Sequence, residues 1–161
     1  MRLARLDHTF FENELRPQLG SLLMQKGLIT EAELQHALDN RLPGELVGEA
    51  LVRMRIAFED EIGRVLAEQQ GIDFADIGTN SVDPSAAIEL PPELGREIRA
   101  IPVRYLPNGA LLVAVADPLD ERVTATLTEA LRRPFEIVVA TPSGISYCWT
   151  GVERKIGLAR Y

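Results

Sequence analysis

Few side chains in this sequence could carry out catalysis or hold a metal ion, and those few are isolated from one another. His8 and His36 have no second histidine or cysteine at the spacing of a metal site. Cys148 lies between Tyr147 and Trp149, with no base or cation nearby in sequence to favour a thiolate. We therefore expect a surface or boundary position for His36 and the role of a small buried hydrophobe for Cys148.

Two aspartates in the C-terminal half are the remaining candidates for a metal pair. Asp117 and Asp120 bracket Pro118 at a predicted junction between a strand and a helix, where aspartate commonly caps the helix. The sequence also contains no GxxxxGK[ST] phosphate-binding loop, no nucleophile elbow and no GxGxxG motif after a strand. We therefore predict that the chain is not an enzyme and that it holds neither a metal ion nor a catalytic cofactor.

The composition limits the classes of partner. The chain carries a net charge of −7, spread evenly, and its 46% apolar and 25% charged residues are typical of a globular protein. Since no basic patch is present to neutralise phosphates, a nucleic acid polymer is an unlikely partner by charge. One cysteine fits a reducing compartment, and no apolar run approaches the roughly 18 residues of a membrane span. We expect a cytoplasmic protein without a membrane span.

The elements that would position a binding site lie in an internal sequence repeat of two copies. The stretch Gln18–Arg41 aligns with Leu46–Gln69 at an offset of 28 residues. Two copies of one unit, each too small to bury its apolar face alone, are typical of packed supersecondary repeats. The offset pairs the following apolar and glycine positions: Gly20 with Gly48, Leu23 with Leu51, Leu34 with Ile62, Ala37 with Val65, and Leu38 with Leu66. We predict two tandem helix–turn–helix units.

The first copy is strongly specified by its own residues. Gly27 is placed to end the first helix in the left-handed conformation. Thr30 and Glu33 have the spacing of a capping box at the start of the second helix. The second copy has Arg55 at the glycine position, at a cost on the order of 1 kcal/mol, and Phe58 at the capping position, which also costs about 1 kcal/mol.

An apolar stripe precedes the repeat, and its role has two interpretations. Leu3, Leu6, Phe10, Phe11 and Leu15 recur broadly at helical spacing before Pro17. The stripe could pack as an N-terminal helix against the repeat, which we favour because it is short, or serve as an amphipathic arm for a partner.

The second half of the chain changes to a mixed pattern of strands and helices. We place the domain boundary at the turn-rich segment 78–85, which gives a helical repeat at 1–77 and a small α/β part at 78–161. The run 72–77 could form a short strand ahead of it. Strands are predicted at 101–105, 111–116 and 135–140, the first two joined by an Asn-Gly hairpin. Short helices are predicted from Pro92, after Asp117 or Asp120, and after Pro142 with Ser143 as cap. The expected fold class is α+β with a roughly three-stranded sheet.

These features together resemble the N-terminal domain of type II secretion and type IV pilus assembly ATPases. The local passage that carries most of the resemblance is LLVAVADPLD at 111–120, and the similarity extends from about Gln18 to Ile156. In that family the domain is a regulatory or docking module, placed ahead of a hexameric ATPase core or attached to membrane glycosyltransferases. One branch, the MshEN type, binds cyclic di-GMP through two tandem copies of RLG-x6-G-x6-L-x3-L-x2-Q.

The resemblance carries over to a defined set of residues. Both motif arginines are replaced, by Gln18 and Leu46, and the spacer Leu42–Glu45 is one residue shorter than usual. Because neither glutamine nor leucine offers a charged planar fork for phosphate or guanine, charge complementarity is weakened. Arg41 and Arg55, which stand at other motif positions, could compensate in part. The resemblance implies this nucleotide site: Gln18, Leu19, Gly20, Gly27, Leu34, Leu38, Arg41, Val47, Gly48, Arg55, Ile62, Leu66 and Gln69.

Two functions follow as hypotheses. The first is a non-catalytic regulatory or docking module that binds a protein, such as an inner-membrane component of a secretion or pilus system or an associated enzyme. It is supported by the persistence of the core positions while ligand positions have changed. The second is a cyclic di-GMP sensor with an altered site, in which the nucleotide is a ligand and no cofactor is used. The resemblance also adds peripheral contact with the inner membrane to the cytoplasmic location.

Overall fold

The computed structural model describes residues 17–158, apart from the side chains at positions 17, 18, 79 and 158. The described part is α+β, as predicted, with eight α-helices, one 3-10 turn and a three-stranded mixed sheet. The apolar stripe between Leu3 and Leu15 lies outside the described residues, so both interpretations of it stay predictions. In the described part of the chain, no helix is long and apolar enough to cross a membrane.

Four helices form the two predicted helix–turn–helix units. They are α1 Pro17–Gln25, α2 Glu31–Asp39, α3 Val47–Arg53 and α4 Glu59–Gln70. The start of α2 is the predicted capping box, in which the Thr30 hydroxyl accepts from the Glu33 amide at 3.2 Å and the Glu33 carboxylate accepts from the Thr30 amide at 2.8 Å.

The remaining elements build a small layered unit around the sheet. In chain order they are a 3-10 turn Thr79–Ser81, α5 Pro84–Ala87, α6 Pro92–Ile98, β1 Ala100–Tyr105, β2 Leu111–Val115, α7 Glu121–Ala130, β3 Phe135–Val139 and α8 Pro142–Leu158. The sheet order is β1-β2-β3. β1 and β2 are antiparallel across the predicted Asn108-Gly109 hairpin, where Gly109 has φ +84°. β2 and β3 are parallel, and α7 supplies the crossover between them.

Two local predictions were wrong. The run 72–77 forms no strand of its own, because only Phe74 bridges to Val139 before the chain leaves the sheet. The last helix is capped not by Ser143 but by Thr141, whose hydroxyl accepts from the Gly144 amide at 3.1 Å. Thr141 stands just before Pro142, which occupies the first helical position because its missing amide hydrogen costs nothing there.

The core of this layered unit is organised around Trp149 in α8. The indole is fully buried, and its Nε1–H donates to the Ala100 carbonyl at 2.9 Å, which ties α8 to the start of β1. Gly95 in α6 lies directly against the ring, since a Cβ built on it would be 2.7 Å from Trp149 Cε2. The absence of a side chain at Gly95 is therefore what lets α6 approach α8.

Contacts divide the chain into two compact units, Met1–Val65 and Leu66–Tyr161. The division falls inside α4, earlier than the turn-rich segment 78–85 at which the sequence suggested a boundary. Where the two parts separate as folding domains stays a prediction.

Candidate functional site

The turns of the two repeat copies have the same backbone geometry although their residues differ. Gly27 has φ +69°, and Arg55, at the equivalent position, has φ +58°. In both copies two amides bond back across the helix end as in a Schellman motif. These bonds are Gly27 N to Met24 O at 3.0 Å, Leu28 N to Leu23 O at 3.0 Å, Arg55 N to Val52 O at 3.0 Å and Ile56 N to Leu51 O at 2.9 Å. Arg55 therefore adopts the left-handed conformation that its position predicts.

The paired glycines of the motif serve close packing between the helices of each copy. A Cβ on Gly20 in α1 would lie 2.8 Å from Leu34 Cδ2 in α2. The equivalent Cβ on Gly48 in α3 would lie 3.1 Å from Ile62 Cγ2 in α4. The same contact thus occurs in both copies at the same offset. Four of the predicted site residues are accounted for by helix packing.

Most other apolar members of the predicted site are interior residues. Leu19 and Val47 are buried, as is Ile62. Leu34 is half-buried, whereas Leu38 at the end of α2 is 38% exposed and Leu42 in the spacer is 55% exposed. Among the apolar motif residues of the first unit, Leu38 is therefore the most accessible from solvent.

The polar members of the site in the first unit lie at different places along the chain. Gln18 lies in the first turn of α1, and its side chain is outside the described part of the chain. Arg41 and Arg55 are exposed, one after α2 and the other after α3. The structure places these residues on different turns, and their grouping around one ligand stays a prediction.

Glutamates occupy the backbone donors at three of the repeat's helix starts. The Glu33, Glu49 and Glu61 carboxylates accept from the amides of Thr30, Leu46 and Phe58 at 2.8, 3.0 and 2.9 Å. A helix N-terminus attracts anions through these donors and through its dipole. Because a carboxylate already accepts from one of the four free amides at each of these starts, an incoming phosphate would meet a negative group there.

Leu66 and Gln69 complete the set predicted from the second motif copy. Leu66 is buried and Gln69 is half-buried, and both lie in the last part of α4. That part of α4 belongs to the second compact unit. Their grouping with the residues of the first unit stays a prediction.

A prominent feature of the first unit was missed by the sequence analysis. Arg53 at the end of α3 forms a two-pronged ion pair with Glu45 in the spacer, with Nε–Oε1 at 2.7 Å and Nη2–Oε2 at 3.0 Å. The hydrogen bond from Arg53, and then that from the Leu42 amide, lower the pKa of Glu45 to about 2. No periodic pattern relates positions eight residues apart across a turn, so the sequence held no signal for the pair.

The isolated groups considered for chemistry have structural roles. Cys148 is fully buried, as predicted, and burial raises the pKa of its thiol. Asp120 caps α7 by accepting from the Arg122 amide at 3.0 Å, and Asp117 accepts from the Leu119 amide at 3.0 Å. Among the residues that the structure describes, no group of three His, Cys, Asp or Glu side chains could hold a metal ion.

With the fold in view, comparison with known proteins identifies the family. Residues 70–155 match the model of the MshEN domain. The chain belongs to the MshEN domain family. The matched residues comprise the sheet unit, including the LLVAVADPLD passage of β2 and the following turn, and begin at the last residue of α4. Family membership is therefore established on the layered unit and not on the tandem motif.

Two curated proteins are similar to this MshEN domain over most of its length. It is 33% identical over 143 residues to the type IV pilus assembly ATPase PilB of Thermus thermophilus and 30% identical over 125 residues to bacteriophage adsorption protein B of Escherichia coli K12. These alignments cover 88% and 78% of the chain, respectively. The chain spans only 16% of the length of each relative.

Two solved structures share the fold. MshE with cdg, that is cyclic di-GMP, has a TM-score of 0.69 at 28% identity, covering 84% of this chain and 96% of that one. The N-terminal domain of XpsE has a TM-score of 0.71 at 18% identity, covering 85% and 94%. The α+β architecture predicted from the sequence is that of these domains.

Proposed function

We propose that this domain is a non-catalytic regulatory or docking module that acts by binding another protein. The observation that carries the proposal is a contrast between two kinds of position in the repeat, those that pack the helices and those that would bind a ligand. Positions that pack the helices are kept in both copies, down to the glycine contacts of 2.8 and 3.1 Å. The two arginines of the motif that would recognise a phosphate are replaced by Gln18 and Leu46, and a glutamate accepts from one backbone amide at each of three helix starts.

The relatives support placing the module inside a larger machine. One is a pilus assembly ATPase and one a phage adsorption protein, and each is several times longer than this chain. We infer an inner-membrane component of a secretion or pilus system, or an enzyme fused to or associated with the domain, as the partner. The module itself would work in the cytoplasm, at the membrane surface when its partner is there.

The surface we assign to docking is the end of α2 with the spacer. Leu38 and Leu42 are the exposed large apolar residues at this place, at 38% and 55% exposure. Exposed apolar side chains gain free energy when a partner covers them, at roughly 25 cal/mol per Å². Phe58, at 72% exposure before α4, is a further exposed apolar residue of the same unit.

A photo-crosslinking experiment in the native cell tests this proposal. A photoreactive amino acid at position 38 or 42 should give a crosslink to a secretion, pilus or membrane-enzyme component. The matched control is position 147, where Tyr147 is 63% exposed in the second unit. Crosslinks of equal yield from all three positions, or none from positions 38 and 42, would contradict the assignment.

A cyclic di-GMP sensor is the second candidate function. It is favoured by the solved structure of MshE with cyclic di-GMP, at 28% identity over most of the chain. Calorimetry with cyclic di-GMP at physiological salt separates the two candidates. The docking proposal expects no heat of binding up to high micromolar nucleotide, whereas saturable heat that is lost on mutation of Arg41 or Arg55 would establish the sensor.

A further inference from the structure

The ion pair of Glu45 and Arg53 has no counterpart in the first copy of the repeat. At the offset of 28 residues, Glu45 corresponds to Pro17 and Arg53 corresponds to Gln25. The helix–turn–helix fold of the first copy forms without this pair, as the shared turn bonds and glycine contacts show. The pair therefore belongs to a structural feature that has no second counterpart in the repeat. The junction between the two copies is such a feature.

The geometry agrees with a role at the junction. The spacer is a tight turn in which the Glu45 amide donates to the Leu42 carbonyl at 3.0 Å and Gly44 has φ +76°, with Pro43 before it, as a type II turn requires. The Glu45 carboxylate closes the turn by accepting from the Leu42 amide at 2.8 Å.

Arg53 connects this turn to the first copy. Its Nη2 donates to the carbonyl of Asn40, the C-cap of α2, at 3.0 Å, while the same guanidinium holds Glu45. One side chain at the end of α3 thus contacts the end of the first copy and the spacer together. The Glu45 side chain is only 10% exposed, whereas that of Arg53 is 40% exposed, so the carboxylate is the shielded member of the pair.

We propose that Glu45 and Arg53 form a latch that holds the two repeat copies in one fixed arrangement. This inference deepens the docking function proposed above, because a partner that touches both copies binds more tightly when the copies are already ordered. Glu45 and Arg53 are positioning residues in this view. They act by fixing the surface of the first unit rather than by touching the partner.

Distance measurement between the copies tests the latch in the full chain. Spin labels are attached at Ala32→Cys and Asp60→Cys, which are exposed and occupy equivalent positions in the first turns of α2 and α4. Cys148 is fully buried, and a label reaction on the unsubstituted protein checks that it stays unlabelled. With the latch intact, pulsed electron paramagnetic resonance should give one narrow distribution of distances between the two spin labels.

Opening the latch should broaden that distribution while the helices stay formed. Arg53→Met and Glu45→Gln each remove the charge pair, and Arg53→Lys, which keeps the charge but not the fork, should give an intermediate width. The matched control is Arg96→Met, which breaks the ion pair with Glu153 in the second unit and should leave the distribution narrow.

A distribution that stays narrow in both Arg53→Met and Glu45→Gln, with unchanged helical circular dichroism, overturns the latch. If Arg53→Met loses its helical signal, Glu45→Gln alone decides. The measurement needs no partner and no nucleotide. A failed crosslinking experiment would therefore contradict the docking surface but not the latch. A narrow distance distribution in the variants would contradict the latch but not the docking surface.

Discussion

Replacing Arg55 by glycine should stabilise the protein, although it removes a charged side chain and adds backbone freedom. The φ of +58° places Arg55 in the left-handed region, which costs a residue with a Cβ roughly 1–2 kcal/mol. Glycine relieves this cost but gains unfolded-state entropy worth roughly 0.4–1 kcal/mol. The expected net gain is about 0.5–1 kcal/mol, or about 1–4 °C in melting temperature for a chain of this size.

The assay compares three variants by denaturant unfolding. Arg55→Ala keeps the backbone cost and removes the exposed side chain beyond Cβ, so it should lie within about 0.5 kcal/mol of the native protein, as exposed substitutions usually do. The difference between the alanine and glycine variants isolates the backbone term. Gly27→Ala provides the mirror experiment in the first copy and should cost about 1 kcal/mol.

A local measurement reports on this turn even when the two units unfold separately. The Ile56 amide, which donates to the Leu51 carbonyl at 2.9 Å, reports opening of this turn by hydrogen exchange. Its protection should rise in Arg55→Gly. If the glycine variant is no more stable than the alanine variant by either measurement, the left-handed cost assigned to Arg55 is refuted.

Three further results are expected. Gly95→Ala should destabilise the second unit by about 1–3 kcal/mol in thermal unfolding, because the new methyl group meets the fully buried Trp149 ring; a loss below 0.5 kcal/mol would contradict the packing. Trp149→Phe should cost about 1–3 kcal/mol, since the buried Ala100 carbonyl loses its donor at 2.9 Å, and unchanged stability would mean that another donor replaces it. The pKa of Glu45 is lowered from 4.5 to about 2, so its contribution to stability is fully present above about pH 4.5 and is lost as the pH falls towards 2. Unfolding measured from pH 6 to 2 should therefore show a stability gap between the native protein and Glu45→Gln that closes over this window, and a gap independent of pH would refute the assignment.

The sequence was informative wherever structure is determined by neighbours along the chain. The capping box at Thr30 and Glu33, the Asn108-Gly109 hairpin and the left-handed position of Arg55 all follow from residue type and local spacing. The 28-residue offset also predicted which positions would correspond. The cap, the hairpin and the left-handed turn are each specified within a few residues, and the offset can be read from the chain itself, so a single sequence contains the whole signal.

Features that depend on distant partners were not predictable in the same way. The glycines at positions 20 and 48 were recognised as equivalent, but their contacts with Leu34 and Ile62 require knowing how closely the helices approach. The run 72–77 has strand-like residues, yet only Phe74 finds a partner in the sheet. The latch of Glu45 and Arg53 depends on the path of a turn, and no composition or periodicity reports that path.

The left-handed turn shared by the two copies has a consequence for how such repeats change over time. In the first copy glycine makes the turn easy, and in the second copy arginine makes the same turn with the same hydrogen bonds. The two copies therefore share a backbone conformation although they differ in the residue at this turn. A duplicated motif of this kind can lose its most recognisable residue while keeping its shape, and a search by motif letters alone would count one copy where the fold has two.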